Sequence, residues 1–129
     1  MTPEPNIKIL LIEDNTSFAN LIHFLVEEEE DCPWTMRHEQ SLGGGMQALT
    51  EDTFDVVVLD FYLPDSDGIE SIKQIRTINK TIPIIFLTAL DDPHMEAKAL
   101  AEGAAGYLQK DVVIKLFTKT IRESLSKVN

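Results

Sequence analysis

The sequence predicts an α/β fold: a doubly wound, five-stranded parallel sheet with helices on both faces. Two observations carry that prediction. Five short apolar runs alternate with five amphipathic stretches along 129 residues, and strict alternation of this kind is the pattern of parallel strands joined by helical crossovers. The runs are also nearly continuous in apolar residues, as strands buried on both faces must be.

The first strand is expected over residues 7–12, ending at Glu13-Asp14. Phe18, Leu21, Ile22, Leu25 and Val26 then recur at helical spacing, with Asn15, Thr16 and Ser17 as candidate caps. The acidic run over residues 27–31 reads as a solvated helix end and loop. Residues 34–38 form a weaker strand candidate. Gly43-Gly44-Gly45 reads as a turn before a short helix over residues 46–49. Residues 56–59 are a buried strand ending at Asp60, and residues 64–68 are a turn cluster. Ile69, Ile72 and Ile75 mark a helix face. Residues 83–87 are the fourth strand, ending at Thr88. Asp92-Pro93 is a cap followed by a first-turn proline, opening a helix through Met95 and Leu100 to Gly103. Gly106-Tyr107-Leu108 is the last strand, ending near Lys110. Ile114, Phe117, Ile121 and Leu125 mark the apolar face of the final helix.

The length fits one domain, and 43% hydrophobic residues are enough for a core. The single cysteine, Cys32, excludes an internal disulfide and a cysteine-based metal cage. The absence of a signal sequence or a long apolar run leads us to expect a cytoplasmic protein without membrane contact. The net charge of -11 argues against direct nucleic-acid binding.

Ligands of open α/β sheets bind beyond the carboxyl ends of the strands, at a topological switch point. Here those ends carry Glu13-Asp14, Asp60, Thr88 and Lys110. In the doubly wound order 2-1-3-4-5 the first and third strands are neighbours, about 4.8 Å apart. That spacing brings Glu13, Asp14 and Asp60 within reach of one hard cation. Three such carboxylates repel one another and raise at least one pKa; magnesium, which takes oxygen ligands and a phosphate partner, relieves the repulsion. Thr88 stands on the strand beside Asp60, and Lys110 needs its long side chain to span roughly two strand spacings.

In that order and spacing these residues resemble the receiver domain of two-component response regulators, a flavodoxin-like fold, over nearly the whole chain. The matching residues are the acidic pair Glu13-Asp14, Asp60 within Val57-Val58-Leu59-Asp60-Phe61-Tyr62-Leu63-Pro64, the turn Pro64-Asp65-Ser66-Asp67-Gly68, Thr88-Ala89, Tyr107 and Lys110. The resemblance implies a phosphoacceptor at Asp60 and a Mg2+ (or Mn2+) site made by Glu13, Asp14, Asp60 and the backbone carbonyl of Tyr62. It implies phosphoryl contacts from Thr88 and Lys110, and a switch made by Thr88 and Tyr107. The implied donor is a sensor histidine kinase or a histidine phosphotransfer protein, and homodimerisation or partner docking would use the face of the fourth helix, fifth strand and fifth helix. The chain is accordingly expected to be one receiver domain over residues 1–129, with no output domain and no enzymatic role beyond slow loss of its own phosphoryl group. Tyr62 and Leu90 would border the approach of a hydrolytic water.

One departure stands out. Receiver domains commonly follow the lysine with proline, often through a cis bond; here Asp111 follows Lys110. A cis bond before a non-proline residue costs about 2.5–4 kcal/mol, so the isomer is left open and Asp111 becomes a candidate N-cap. Two other functions compete with this one. A haloacid-dehalogenase-like phosphatase would want a second acid two residues after its nucleophile, where Tyr62 stands. A phosphorylation-independent module on the same fold would not need Asp14, Asp60, Thr88 and Lys110 together. Asp65-Ser66-Asp67 fails as a calcium loop, because Leu63 and Gln74 occupy its first and closing ligand positions. The glycine triplet lacks the Lys-Ser or Lys-Thr of a P-loop. His23, His38 and His94 lack metal-ligand spacing and read as incidental, with His23 as a packing residue.

Overall fold

Alternation along each strand divides the apolar residues between two cores. The computed structural model describes residues 6–28, 34–89 and 92–126. Its elements are β1 (Lys8–Ile12), α1 (Thr16–Glu27), β2 (Thr35–Glu39), α2 (Leu42–Glu51), β3 (Val56–Asp60), β4 (Tyr62–Leu63), β5 (Ser66–Asp67), α3 (Gly68–Ile78), β6 (Ile84–Thr88), α4 (Pro93–Ala101), β7 (Gly106–Gln109) and α5 (Val113–Ser126). The main sheet is parallel in the order β2-β1-β3-β6-β7, which is the expected 2-1-3-4-5 once the short β4-β5 hairpin is set aside. From β1, Ile9 and Leu11 join Ile22, Phe117 and Ile121 under α1 and α5. Leu10 and Ile12 face the other way, with Leu42, Ile72 and Ile75 under α2 and α3. Every residue of β3 and β6 is buried, and each large aliphatic or Phe side chain so placed contributes about 1.5–3 kcal/mol.

Several sequence expectations are corrected. The glycine triplet is not a turn: Gly43, Gly44 and Gly45 form the first turn of α2. Ser41 caps that helix by accepting from the Gly44 N–H, and the Asp65 carboxylate accepts from the N–H groups of Leu42 and Gly43, both at 3.0 Å. These acceptors satisfy N–H groups that have no partner inside a helix. A Cβ on Gly45 would come within 2.2 Å of Ile12 Cδ1, so the absent side chain lets α2 lie close on β1. Residues 62–67, overlapping the turn cluster after Asp60, form a two-stranded antiparallel hairpin, β4-β5, that periodicity over so few residues could not reveal.

His23 is exposed, with Nε2 2.9 Å from Glu27 Oε1, rather than packed. In α5, Ile114 is 67% exposed, whereas Val113, Phe117, Ile121 and Ser124 are buried. The Lys110–Asp111 peptide is trans. Lys110–Val112 form a 3-10 turn, so Asp111 lies within the turn instead of capping a helix. Asn15 and Asp92 do cap α1 and α4, and Gly103 takes the positive φ, 106°, that ends α4. Leu90, Cys32 and the end of the acidic run lie outside the described residues.

Candidate functional site

The carboxyl ends of β1 and β3 form one rim. β3 is apolar until its last residue, so its burial carries Asp60 to the sheet edge with only 6% of its surface exposed. On the neighbouring strand, Ile12 pairs with Leu59, which sets Glu13 beside Asp60. Asn15 starts α1 at once, accepting from the Phe18 N–H at 3.0 Å, so the acidic pair sits on the crest between strand and helix. Oxygen atoms of Glu13, Asp14 and Asp60 lie within 4.8 Å of one another. Glu13 is fully buried, Asp60 nearly so, and Asp14 is exposed.

The electrostatics follow from this crowding. The Asp60 carboxyl is pushed up to about 7, first by burial, then by the hydrogen bond and charge of Glu13, with Lys110 and the Tyr62 N–H opposing. Lys110 Nζ lies 2.6 Å from Glu13 Oε1 and 3.5 Å from Asp60 Oδ2, and 4.7 Å over the ring of Phe18. The Glu13 contact is a charge pair without hydrogen-bond alignment, which leaves the buried Oε1 without a hydrogen-bond partner. Its Oε2 accepts from the Asn15 N–H at 3.2 Å, and its backbone carbonyl meets His38 Nε2 at 2.6 Å. A cluster of carboxylate oxygens, one of them buried and short of a hydrogen bond, fits a small hard dication.

Thr88 is buried at the end of β6, one residue past Leu87, which pairs with Asp60. Tyr107 on the edge strand β7 turns its ring inward, edge-on to Phe61 at 6.5 Å between centroids. Phe61 in turn contacts Phe86 at 5.2 Å and Tyr62 at 5.0 Å. Burial raises the Tyr107 phenol above its ordinary range, and the nearby Thr88 hydroxyl opposes that rise. The phenol oxygen is buried but makes no well-aligned hydrogen bond. Tyr62 is half exposed, and its N–H donates to Asp60 Oδ1 at 3.3 Å.

The structure thus gathers Glu13, Asp14, Asp60 and Lys110 in one place, with Thr88 and Tyr107 on the adjoining strands. Sequence reasoning missed two contributors. Phe18, whose ring lies under Lys110 Nζ, carries no chemical signature of its own. His38 lacks metal-ligand spacing in the sequence, yet the order β2-β1-β3 puts the end of β2 on the same rim.

The family described as response regulator receiver domain matches residues 9–122. The response regulator ArlR of Staphylococcus saprophyticus is 32% identical over 120 residues, covering 93% of this chain and 53% of that protein. The transcriptional regulatory protein QseB of Haemophilus influenzae is 36% identical over 105 residues, covering 81% and 46%. The transcriptional regulatory protein ZraR of Klebsiella oxytoca is 31% identical over 123 residues, covering 93% and 26%. The chain therefore spans about a quarter to a half of the length of these relatives. Among solved structures, a receiver domain protein from Clostridium thermocellum superposes with a TM-score of 0.83 at 28% identity, covering 94% of this chain and 95% of that one. A Francisella receiver domain superposes with a TM-score of 0.85 at 25% identity, covering 96% and 100%.

Proposed function

The chain belongs to the response regulator receiver domain family, and from that premise we propose that Asp60 accepts a phosphoryl group from a phosphohistidine in a Mg2+-dependent reaction. The observation that carries this reading is the convergence of Glu13, Asp14 and Asp60 within 4.8 Å, with Lys110 Nζ against two of them. In the transfer, a carboxylate oxygen of Asp60 forms a bond to phosphorus as the phosphorus–nitrogen bond of the donor breaks. The electron pair leaves with the imidazole. Phosphoryl transfer demands alignment and charge neutralisation more than acid–base chemistry.

Glu13, Asp14, Asp60 and the carbonyl of Tyr62 would hold Mg2+ or Mn2+, which neutralises the carboxylates and the charge on the phosphoryl oxygens. Lys110 would leave Glu13 to pair with one phosphoryl oxygen. Thr88 would donate its hydroxyl hydrogen to another, drawing the end of β6 inward and moving the neighbouring Tyr107. Such a local charge change biases a two-state element. The phosphatase alternative is not favoured, since Tyr62 holds the position its second acid would need.

The donor in this reading is a sensor histidine kinase or a phosphotransfer protein, met in the cytoplasm. The signalling face comprises α4, β7 and α5, where exposed Leu100 and Ile114 offer apolar surface for a partner or a second copy. Among the described residues, no helix is long and apolar enough to cross a membrane. The acidic charge supports a domain that does not itself bind nucleic acid. Incubation with acetyl phosphate and Mg2+ should add one phosphoryl group, and EDTA or Asp60→Asn should prevent it. Equal labelling of the Asn variant would refute the assignment.

A further inference from the structure

Residue 13 is gripped by the edge strand β2. Its N–H donates to the carbonyl of Glu39 at 2.9 Å, and its own carbonyl lies 2.6 Å from His38 Nε2. A carbonyl oxygen only accepts, so Nε2 carries the hydrogen of that bond. His38 and Glu39 are the last residues of β2, in register with Leu11 and Ile12. Both polar ends of the residue 13 backbone are therefore tied to consecutive residues of one neighbouring strand, and one of the two ties is a side chain.

That side-chain tie has a consequence for the acidic pair. The carbonyl of Glu13 and the N–H of Asp14 share a rigid peptide plane. Holding the oxygen fixes the rotation of that plane, and with it the direction in which Asp14 leaves β1. Asp14 is exposed and gains little restraint from packing, unlike Glu13 and Asp60. The ladder between β1 and β2 ends here, so no backbone N–H of β2 continues far enough to serve this carbonyl.

We propose that His38 is a positioning residue for the cation site: its Nε2–H holds the Glu13 carbonyl and so aims the Glu13 and Asp14 carboxylates at one ion. The proposal rests on the reading of those two residues as metal ligands. Hydrogen-bond partners one step behind the ligands typically carry ten-fold or more of a metal's affinity, because they orient the groups that bind.

The experiment is titration of the purified chain with Mn2+, following the free ion by electron paramagnetic resonance. The variants are His38→Leu, which fills the space without a donor, and His38→Gln, whose amide N–H can stand where Nε2–H stood. The Leu variant should bind Mn2+ about ten-fold more weakly, and the Gln variant within about three-fold of the native chain. Urea midpoints in EDTA report folding separately. If the Leu variant fails to fold, His38→Ala replaces it with the same expectation. A shifted midpoint with unchanged Mn2+ affinity, or a Gln variant as weak as the Leu variant, would overturn the positioning role. A native chain that takes up no Mn2+ would overturn the metal-site reading and this proposal with it. A native chain that binds while the Leu variant binds equally well would overturn the role of His38 alone.

Discussion

Replacing Asp60 with asparagine should stabilise the metal-free protein, and the gain should grow with pH. The Asp60 side chain is 9% exposed, and its carboxyl is raised from 3.8 to about 7, chiefly by burial and by Glu13. A carboxyl raised on folding holds its proton more tightly in the native state. Its stabilising effect is full below the unfolded value and is lost as pH rises through the folded one. The rise corresponds to about 4 kcal/mol lost by pH 8, as an upper limit, of which about 2 kcal/mol is lost between pH 5.5 and pH 8. Asparagine keeps the shape and removes the charge. The variant should therefore exceed the native chain by about 1–3 kcal/mol at pH 8 and by about 2 kcal/mol less at pH 5.5. Urea unfolding in EDTA at the two pH values measures both differences, and the variant itself corrects for the titrating groups that do not touch Asp60. Mg2+ at about one hundred times its dissociation constant should then restore about 2.7 kcal/mol to the native chain and less to the variant. A variant that is less stable at pH 8, or a difference that ignores pH, would refute the argument that burial beside Glu13 raises Asp60.

Lys110→Ala should abolish labelling by acetyl phosphate. It should also cost the metal-free protein about 1–3 kcal/mol in urea unfolding, because the fully buried Glu13 loses its counter-charge. Gly45→Ala should cost about 1–3 kcal/mol by the same assay, since its Cβ would meet Ile12 at 2.2 Å; trimming Ile12 to Val should return part of that loss. Phospho-Asp60 should persist after donor removal, because the half-exposed Tyr62 beside it is bulky and orients no water as an acid or amide would; Tyr62→Asn should hasten decay measured by mass spectrometry. Amide chemical shifts on adding Mg2+ and a phosphoryl mimic should change across α4, β7 and α5, and changes confined to α1 would contradict the assigned face.

What the sequence determined by itself was the sheet and the ends of its strands. Short apolar runs such as residues 56–59, alternating with helical stretches, read as strands buried on both faces, and the residue ending each run then stands on the rim. That is why Asp14, Asp60, Thr88 and Lys110 were legible as candidates for one site. Tertiary structure decided the rest, because it depends on what lies across from each residue. The glycine triplet opens a helix whose first N–H groups, those of Leu42 and Gly43, are accepted by Asp65, distant in sequence, and which lies on β1 where Ile12 leaves no room for a Cβ at Gly45. Ile114 fell outside the buried frame because a small change in helix phase moves a residue from core to solvent, and the packing of α5 on β7 and α1 sets that phase. His38 carries no motif; its meeting with the Glu13 carbonyl follows from β2 lying beside β1, a pairing that joins residues 25 apart in the chain. Local pattern reports periodicity and burial, whereas partners in a parallel sheet come from distant segments, and only the closed fold brings them within hydrogen-bond reach.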